Sequence, residues 1–208
     1  RVYSTLKGSQ PSSYIDISLG KLKSINVHFV GNVKYPGVHP VHPFSTVIVG
    51  LIQAGGIDIT GSLREINVKR KGQKNSTLDF YDYMLNGNIE NNTQLRDGDV
   101  LFVPNRKSTI TIDSLVLKRG KYEALPNESI FQMINYAGGL TPNASSILGL
   151  ERITPMLERN SNTVSRENYY VDFSKSMDII AQNGDIIVAR EIIPTINQVE
   201  IIVQLKRP

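Results

Sequence analysis

Residues 51–57 read LIQAGGI and residues 133–140 read MINYAGGL. The tripeptides Ala54-Gly55-Gly56 and Ala137-Gly138-Gly139 stand 83 positions apart, close to the length of a small domain. A repeat of that period constrains the fold more than any composition, because one module must form twice from diverged residues.

At the same offset the upstream residues also correspond. INVHFVGNVKYPG (25–37) falls on STITIDSLVLKRG (108–120), so Val27, Phe29, Val33 and Gly37 meet Ile110, Ile112, Val116 and Gly120. Both stretches alternate apolar and polar residues, the period of a half-buried strand, and both bend at a glycine. A helix of roughly three turns is expected next. In HPFSTVIVGLIQAGG, Ser45 or Thr46 can cap it and Gly55 can close it; in LPNESIFQMINYAGG, Asn127 is the expected cap and Gly138 the closer. Val47 with Leu51, Ile48 with Ile52 and Ile130 with Ile134 give each helix an apolar face. Ala-Gly-Gly is read as the structural end of that helix, where small residues allow close packing on the sheet. No Lys-Ser/Thr follows the glycines, so a phosphate loop is not indicated.

Beyond the glycines, LREINVKR (63–70) and LGLERITP (148–155) read as strands, STLDF (76–80) matches YYVDF (169–173), and LRDGDVLFVP (95–104) matches AQNGDIIVAR (181–190). Asp97-Gly98 and Asn183-Gly184 suit tight hairpin turns. The fold class expected is α+β, with two modules at 22–105 and 106–192. Residues 1–21 read as a linker or partial upstream element. QVEIIVQLKRP (198–208) resembles the first strand again, so 193–208 read as the start of a third module, and the chain reads as part of a longer protein.

The first copy carries VHFVGNVKYPG, then TVIVGLIQAGG, then LRDGDVLFVP. This pattern resembles the SLBB module, the soluble ligand-binding β-grasp. The tandem arrangement is similar to the Wza-like family of bacterial outer-membrane polysaccharide export proteins, over about residues 22–190. The motif positions are Gly31, Pro36, Gly37, Ala54, Gly55, Gly56, Gly98 and Asp99, with Gly120, Ala137, Gly138, Gly139, Gly184 and Asp185 in the second copy. There Ser114 replaces Gly31, Arg119 replaces Pro36, and Ala189-Arg190 replaces Val103-Pro104. The resemblance implies a mixed sheet wrapped around one helix, a periplasmic location, and modules that stack into rings conducting capsule or exopolysaccharide. The family's export signature and membrane-spanning helix do not lie in these residues, so any membrane contact would come from parts outside them.

Little points to catalysis. Cysteine is absent, which removes disulfides, thiolate nucleophiles, zinc–thiolate sites and iron–sulfur clusters. The histidines are His28, His39 and His42. His39 and His42 would need a helix to converge on a metal, and Pro40 and Pro43 forbid one. His28 alternates with Val27 and Phe29 and is expected on an exposed strand face. Asp79, Asp172, Asp99 and Asp185 recur between the copies, but a general acid–base pair needs two carboxyls at a set separation, and the Gly-Asp carboxylates suit turn amides. No catalytic residue, metal or cofactor is assigned.

The net charge of +4 permits an acidic partner without requiring one. VKRKGQK (68–74) is a basic turn without the aromatic residues that nucleic-acid modules use for stacking, so nucleic acid is not expected. Candidate glycan contacts are Arg64, Lys69, Arg70, Tyr81 and Tyr83, since a tyrosine face can lie on a sugar ring. The function read from these residues is a non-enzymatic periplasmic module of a polysaccharide export protein. Its partners would be polysaccharide, other copies of itself and other export components. The alternative is a monomeric soluble module that binds a small ligand or glycan.

Overall fold

A computed structural model describes residues 20–160 and 165–192. The expected third module (193–208) and residues 1–19 of the upstream stretch lie outside the described residues. The chain forms two five-stranded mixed sheets of the same topology, each holding a helix, which is the tandem β-grasp architecture.

In the first module, β1 (Ile25–Gly31) and β2 (Gly37–Val41) form a hairpin. Helix α1 (Val47–Gln53) follows, then β3 (Ile66–Lys69), β4 (Ser76–Leu78), helix α2 (Phe80–Asn86) and β5 (Val100–Val103). The order across the sheet is β2-β1-β5-β3-β4, with β5 parallel to β1 and antiparallel to β3. The second module repeats this with β6 (Thr109–Ser114), β7 (Gly120–Glu123), α3 (Ile130–Tyr136), β8 (Ala144–Ile153), β9 (Arg166–Asp172) and β10 (Ile186–Glu191), ordered β7-β6-β10-β8-β9.

Strand register aligns the copies residue by residue. Leu101 pairs with Phe29 and Val68, while Ile187 pairs with Ile112 and Leu150. INVKR (66–70) therefore matches LGLER (148–152), and Arg70 matches Arg152. The segments read as strands, 63–70 and 148–155, hold these equivalent residues at different places along their length, since apolar alternation alone does not fix register.

The two cores fill equivalent positions with different volumes. In the first, Gly50 on α1 lies against Leu95 and Phe29; a Cβ added there would come 2.6 Å from Leu95 and 3.3 Å from Phe29. The equivalent positions in the second module are Met133, Ala181 and Ile112, all buried. A larger helix residue there is matched by smaller residues opposite, which preserves close packing.

The Ala-Gly-Gly element ends each helix and holds the preceding hairpin turn. Gly55 and Gly138 adopt φ of +83° and +84°, the left-handed cap conformation. The carbonyls of Ala54 and Gly56 accept from the amides of Tyr35 and Lys34; those of Ala137 and Gly139 accept from Lys118 and Leu117. A Cβ on Gly55 would lie 2.6 Å from the Tyr35 ring, so the small residue is needed for the approach as well as the turn.

Several expectations are corrected. The helices named α1 and α3 are seven residues each, about two turns rather than three. The cap of α3 is Ser129, whose Oγ accepts from the Gln132 amide while the Gln132 side chain accepts from the Ser129 amide. Asn127, the expected cap, sits two residues earlier at φ +69°. Thr46 is the N-cap of α1 but makes no side-chain capping bond. Asp97-Gly98 and Asn183-Gly184 form turns but not hairpins, because the strands after them join β1 and β6 in parallel. The Asp97 and Asn183 side chains instead accept from the amides of Asn26 and Thr109.

Helix α2 was not expected. Asp79 caps it by accepting from the Tyr81 amide, and Gly87 closes it at φ +69°. In the second module the same segment is only a short 3-10 turn, Phe173–Lys175, capped by Asp172.

Candidate functional site

The modules meet around one guanidinium. Arg64 lies just before β3, and its side chain is only 5% exposed. Its Nε donates to both Asp79 oxygens at 2.9 and 2.8 Å within its own module. Across the seam its Nη1 and Nη2 donate to Glu128 Oε2 and Oε1 at 3.0 and 2.9 Å. The planar fork of arginine allows this two-sided recognition, which a lysine cannot reproduce. The guanidinium carbon also lies 4.7 Å from the Tyr81 ring centre and 5.0 Å from that of Tyr136.

Further bonds cross the same boundary. The Leu63 amide donates to Glu123 Oε2 at 2.7 Å, and the Glu123 amide donates to the Tyr81 hydroxyl at 2.9 Å. Within the second module, Tyr136 donates its hydroxyl proton to Glu128 Oε1 at 2.6 Å. Burial pushes the Tyr136 phenol up, and the Glu128 hydrogen bond adds to it, taking its pKa to about 12. For Glu128, burial alone would raise the carboxyl; the bonds from Arg64, Tyr136 and the Leu125 amide, with the Arg64 charge, more than offset this and hold it below the usual carboxylate range.

Apart from Asp79, which recurs as Asp172, the seam side chains are not repeated. Register places Ser146, Ser174, Pro40, Ser45 and Gln53 where the seam uses Arg64, Tyr81, Glu123, Glu128 and Tyr136. The copies diverged at the positions through which they touch.

A second polar device is repeated. Arg70 donates from Nε and Nη2 to Asp99 at 2.7 and 2.6 Å, and Arg152 donates likewise to Asp185 at 3.0 and 2.7 Å. Asp99 and Asp185 are buried, and each also accepts a turn amide, from Arg96 and Gln182.

Beside the seam opens a cleft of about 320 Å³, lined on one side by Phe80, Tyr81 and Met84, and on the other by Lys118, Arg119, Lys121 and Tyr122. Met84 is 62% exposed. Burial raises the phenols of Tyr81 and Tyr122.

The five candidate glycan contacts are thus separated. Arg64 and Tyr81 meet in the seam, with part of Tyr81 reaching the cleft. Arg70 is engaged by Asp99 at the far end of β3. Lys69 is exposed with its ammonium 5.0 Å from the Phe102 ring centre. Tyr83 lies on α2, 5.8 Å from Phe80 between ring centres. Glu123, Glu128 and Tyr136 were not identified from sequence, because each departs from the repeat and no local pattern marks a partner 60 residues away. His28 is exposed on β1, while His39 on β2 bonds the Tyr35 carbonyl and His42 beyond it accepts from the Phe44 amide.

Residues 26–79 match the SLBB domain family, so the first module, with this mixed sheet and Ala-Gly-Gly turn, is an SLBB domain. Most of the chain is similar to longer proteins. Two Escherichia coli proteins named polysialic acid transport protein KpsD are each 29% identical to it over 172 residues, 82% of this chain. An alignment of that length cannot fit within one module, so the likeness extends over both. The chain spans 29% of the length of those relatives. Among the described residues, no helix is long and apolar enough to cross a membrane.

Proposed function

We propose that this chain is a non-enzymatic part of a bacterial polysaccharide export protein, working in the periplasm close to the outer membrane. The observation that carries this reading is the similarity to a polysialic acid transport protein across both modules. In the parent protein, the units at 22–105 and 106–192 would act as a joined pair within an oligomeric conduit, together with other export components. Two features support such a role. The buried seam holds the modules as one piece, and the outer strands β2, β4, β7 and β9 leave sheet edges unpaired among the described residues. Lys69 and Tyr83, at least partly open to solvent, are proposed as secondary glycan contacts.

Deletion of the gene in its host tests this. Loss of surface polysaccharide with accumulation inside the periplasm is the expected result. Unchanged surface polysaccharide would overturn the export role and favour a monomeric ligand-binding module.

A further inference from the structure

The hairpin turn of the second module departs from the first in charge while keeping its register and its anchoring bonds. Where the first has Tyr35-Pro36-Gly37-Val38-His39, the second has Lys118-Arg119-Gly120-Lys121-Tyr122. Both turns make the same bonds to the Ala-Gly-Gly carbonyls. Three cations have therefore been placed on a turn that keeps the same anchoring bonds.

All three are exposed, and none forms a salt bridge among the described residues. The neighbouring carboxylates are already engaged: Asp79 and Glu128 by Arg64, and Glu123 by the Leu63 amide. The cations line the same cleft as Tyr81, Tyr122 and the exposed thioether of Met84. At about 320 Å³ the cleft sits at the lower end of small-molecule sites, enough for one or two sugar units. The Tyr81 and Tyr122 rings stand edge to face, at 81° and 6.4 Å, which gives apolar walls but no parallel platform for stacked bases.

From this geometry we infer that the cleft binds a short segment of an acidic glycan. Lys118, Arg119 and Lys121 would face sugar carboxylates, while Met84 and the tyrosines cover the apolar face of a ring. The inference deepens the export reading and rests on it for its biological setting.

The test is a titration of the 208-residue chain, ¹⁵N-labelled, with oligomers of sialic acid. Neutral glucan oligomers and oligo-dT serve as controls. Shifts at residues 81, 84 and 118–122 are expected with the acidic oligomer alone. K118Q/R119Q/K121Q should weaken binding at least about tenfold while leaving distant resonances in place, and the charge-matched K23Q/K71Q/K74Q should not. Shifts confined to other residues, no shifts, or equal loss in both variants would overturn the cleft. Equal response to neutral glucan or to oligo-dT would overturn the ligand class. Because gene deletion tests export without reference to the cleft, failure of either reading can be told from failure of the other.

Discussion

Arg64 and Glu128, 64 residues apart in sequence, form a two-bond ion pair that is the centre of the contact between the modules. The pair is buried, and it is not isolated: Asp79 takes the third face of the guanidinium, and Tyr136 donates to the same carboxylate. A buried charge is tolerated when its hydrogen-bonding capacity is filled in this way.

Removing Arg64 leaves Glu128 buried without its counter-charge and takes the same cation from Asp79. Arg64→Gln is expected to destabilise the chain by about 3 kcal/mol. Urea denaturation would measure the loss, and small-angle scattering should show the modules moving apart. An unchanged scattering profile would mean that the remaining backbone bonds suffice to hold the joint.

The seam also predicts how stability depends on pH. Glu128 has a lowered pKa in the fold, so its contribution is present above the unfolded carboxylate value, about 4.3, and is lost as pH falls through the folded value. Tyr136 has a raised pKa, so its contribution is present below about 10 and is lost as pH rises towards about 12. Thermal melts from pH 2.5 to 12 should show both limbs, with E128Q flattening the acid limb.

The exchanged core volumes can be tested directly. Gly50→Ala should cost about 1–3 kcal/mol, because the new methyl would meet Leu95 at 2.6 Å. Leu95→Ala alone should cost about 2–5 kcal/mol. The double variant should be more stable than the sum predicts, and strict additivity in chemical denaturation would argue against a shared packing site.

Ser114 occupies at φ +75° the place where the first module has Gly31 at +86°. A left-handed residue with a side chain costs about 1–2 kcal/mol, part of it offset by the flexibility of glycine when unfolded. Ser114→Gly should therefore stabilise by about 0.5–1 kcal/mol. Gly31→Ala should destabilise by more, since its Cβ would come 2.2 Å from the Val103 carbonyl oxygen. Melting temperatures of the two variants should move in opposite directions.

The repeated pairs Arg70–Asp99 and Arg152–Asp185 should behave alike. Asp99→Ala and Asp185→Ala each strand an arginine and free a turn amide, and each should cost about 2–4 kcal/mol in urea unfolding. A loss in only one module would show that the equivalence is geometric but not energetic.

Much of this fold could be read from residues alone. Alternation placed β1 and β6, the Ala-Gly-Gly turns ended α1 and α3, and the shared offset required two copies of one topology. Local signals decided these features, since a strand period or a left-handed cap depends on residues a few positions apart. Helix α2 also had its local signal, Asp79 before Phe80 and Gly87 after Asn86. Register between the copies and the partners of Arg64 belong to a different level. An isolated arginine followed by a strand looks solvated, and nothing near it in sequence names Glu128. Only the docking of two sheets brings that carboxylate within 3.0 Å and leaves Lys118, Arg119 and Lys121 beside an aromatic cleft. The sequence by itself determined the module and its repetition, because these follow from short-range periodicity. Tertiary structure alone decided the seam and the cleft, because burial and charge pairing depend on distances that chain separation does not encode.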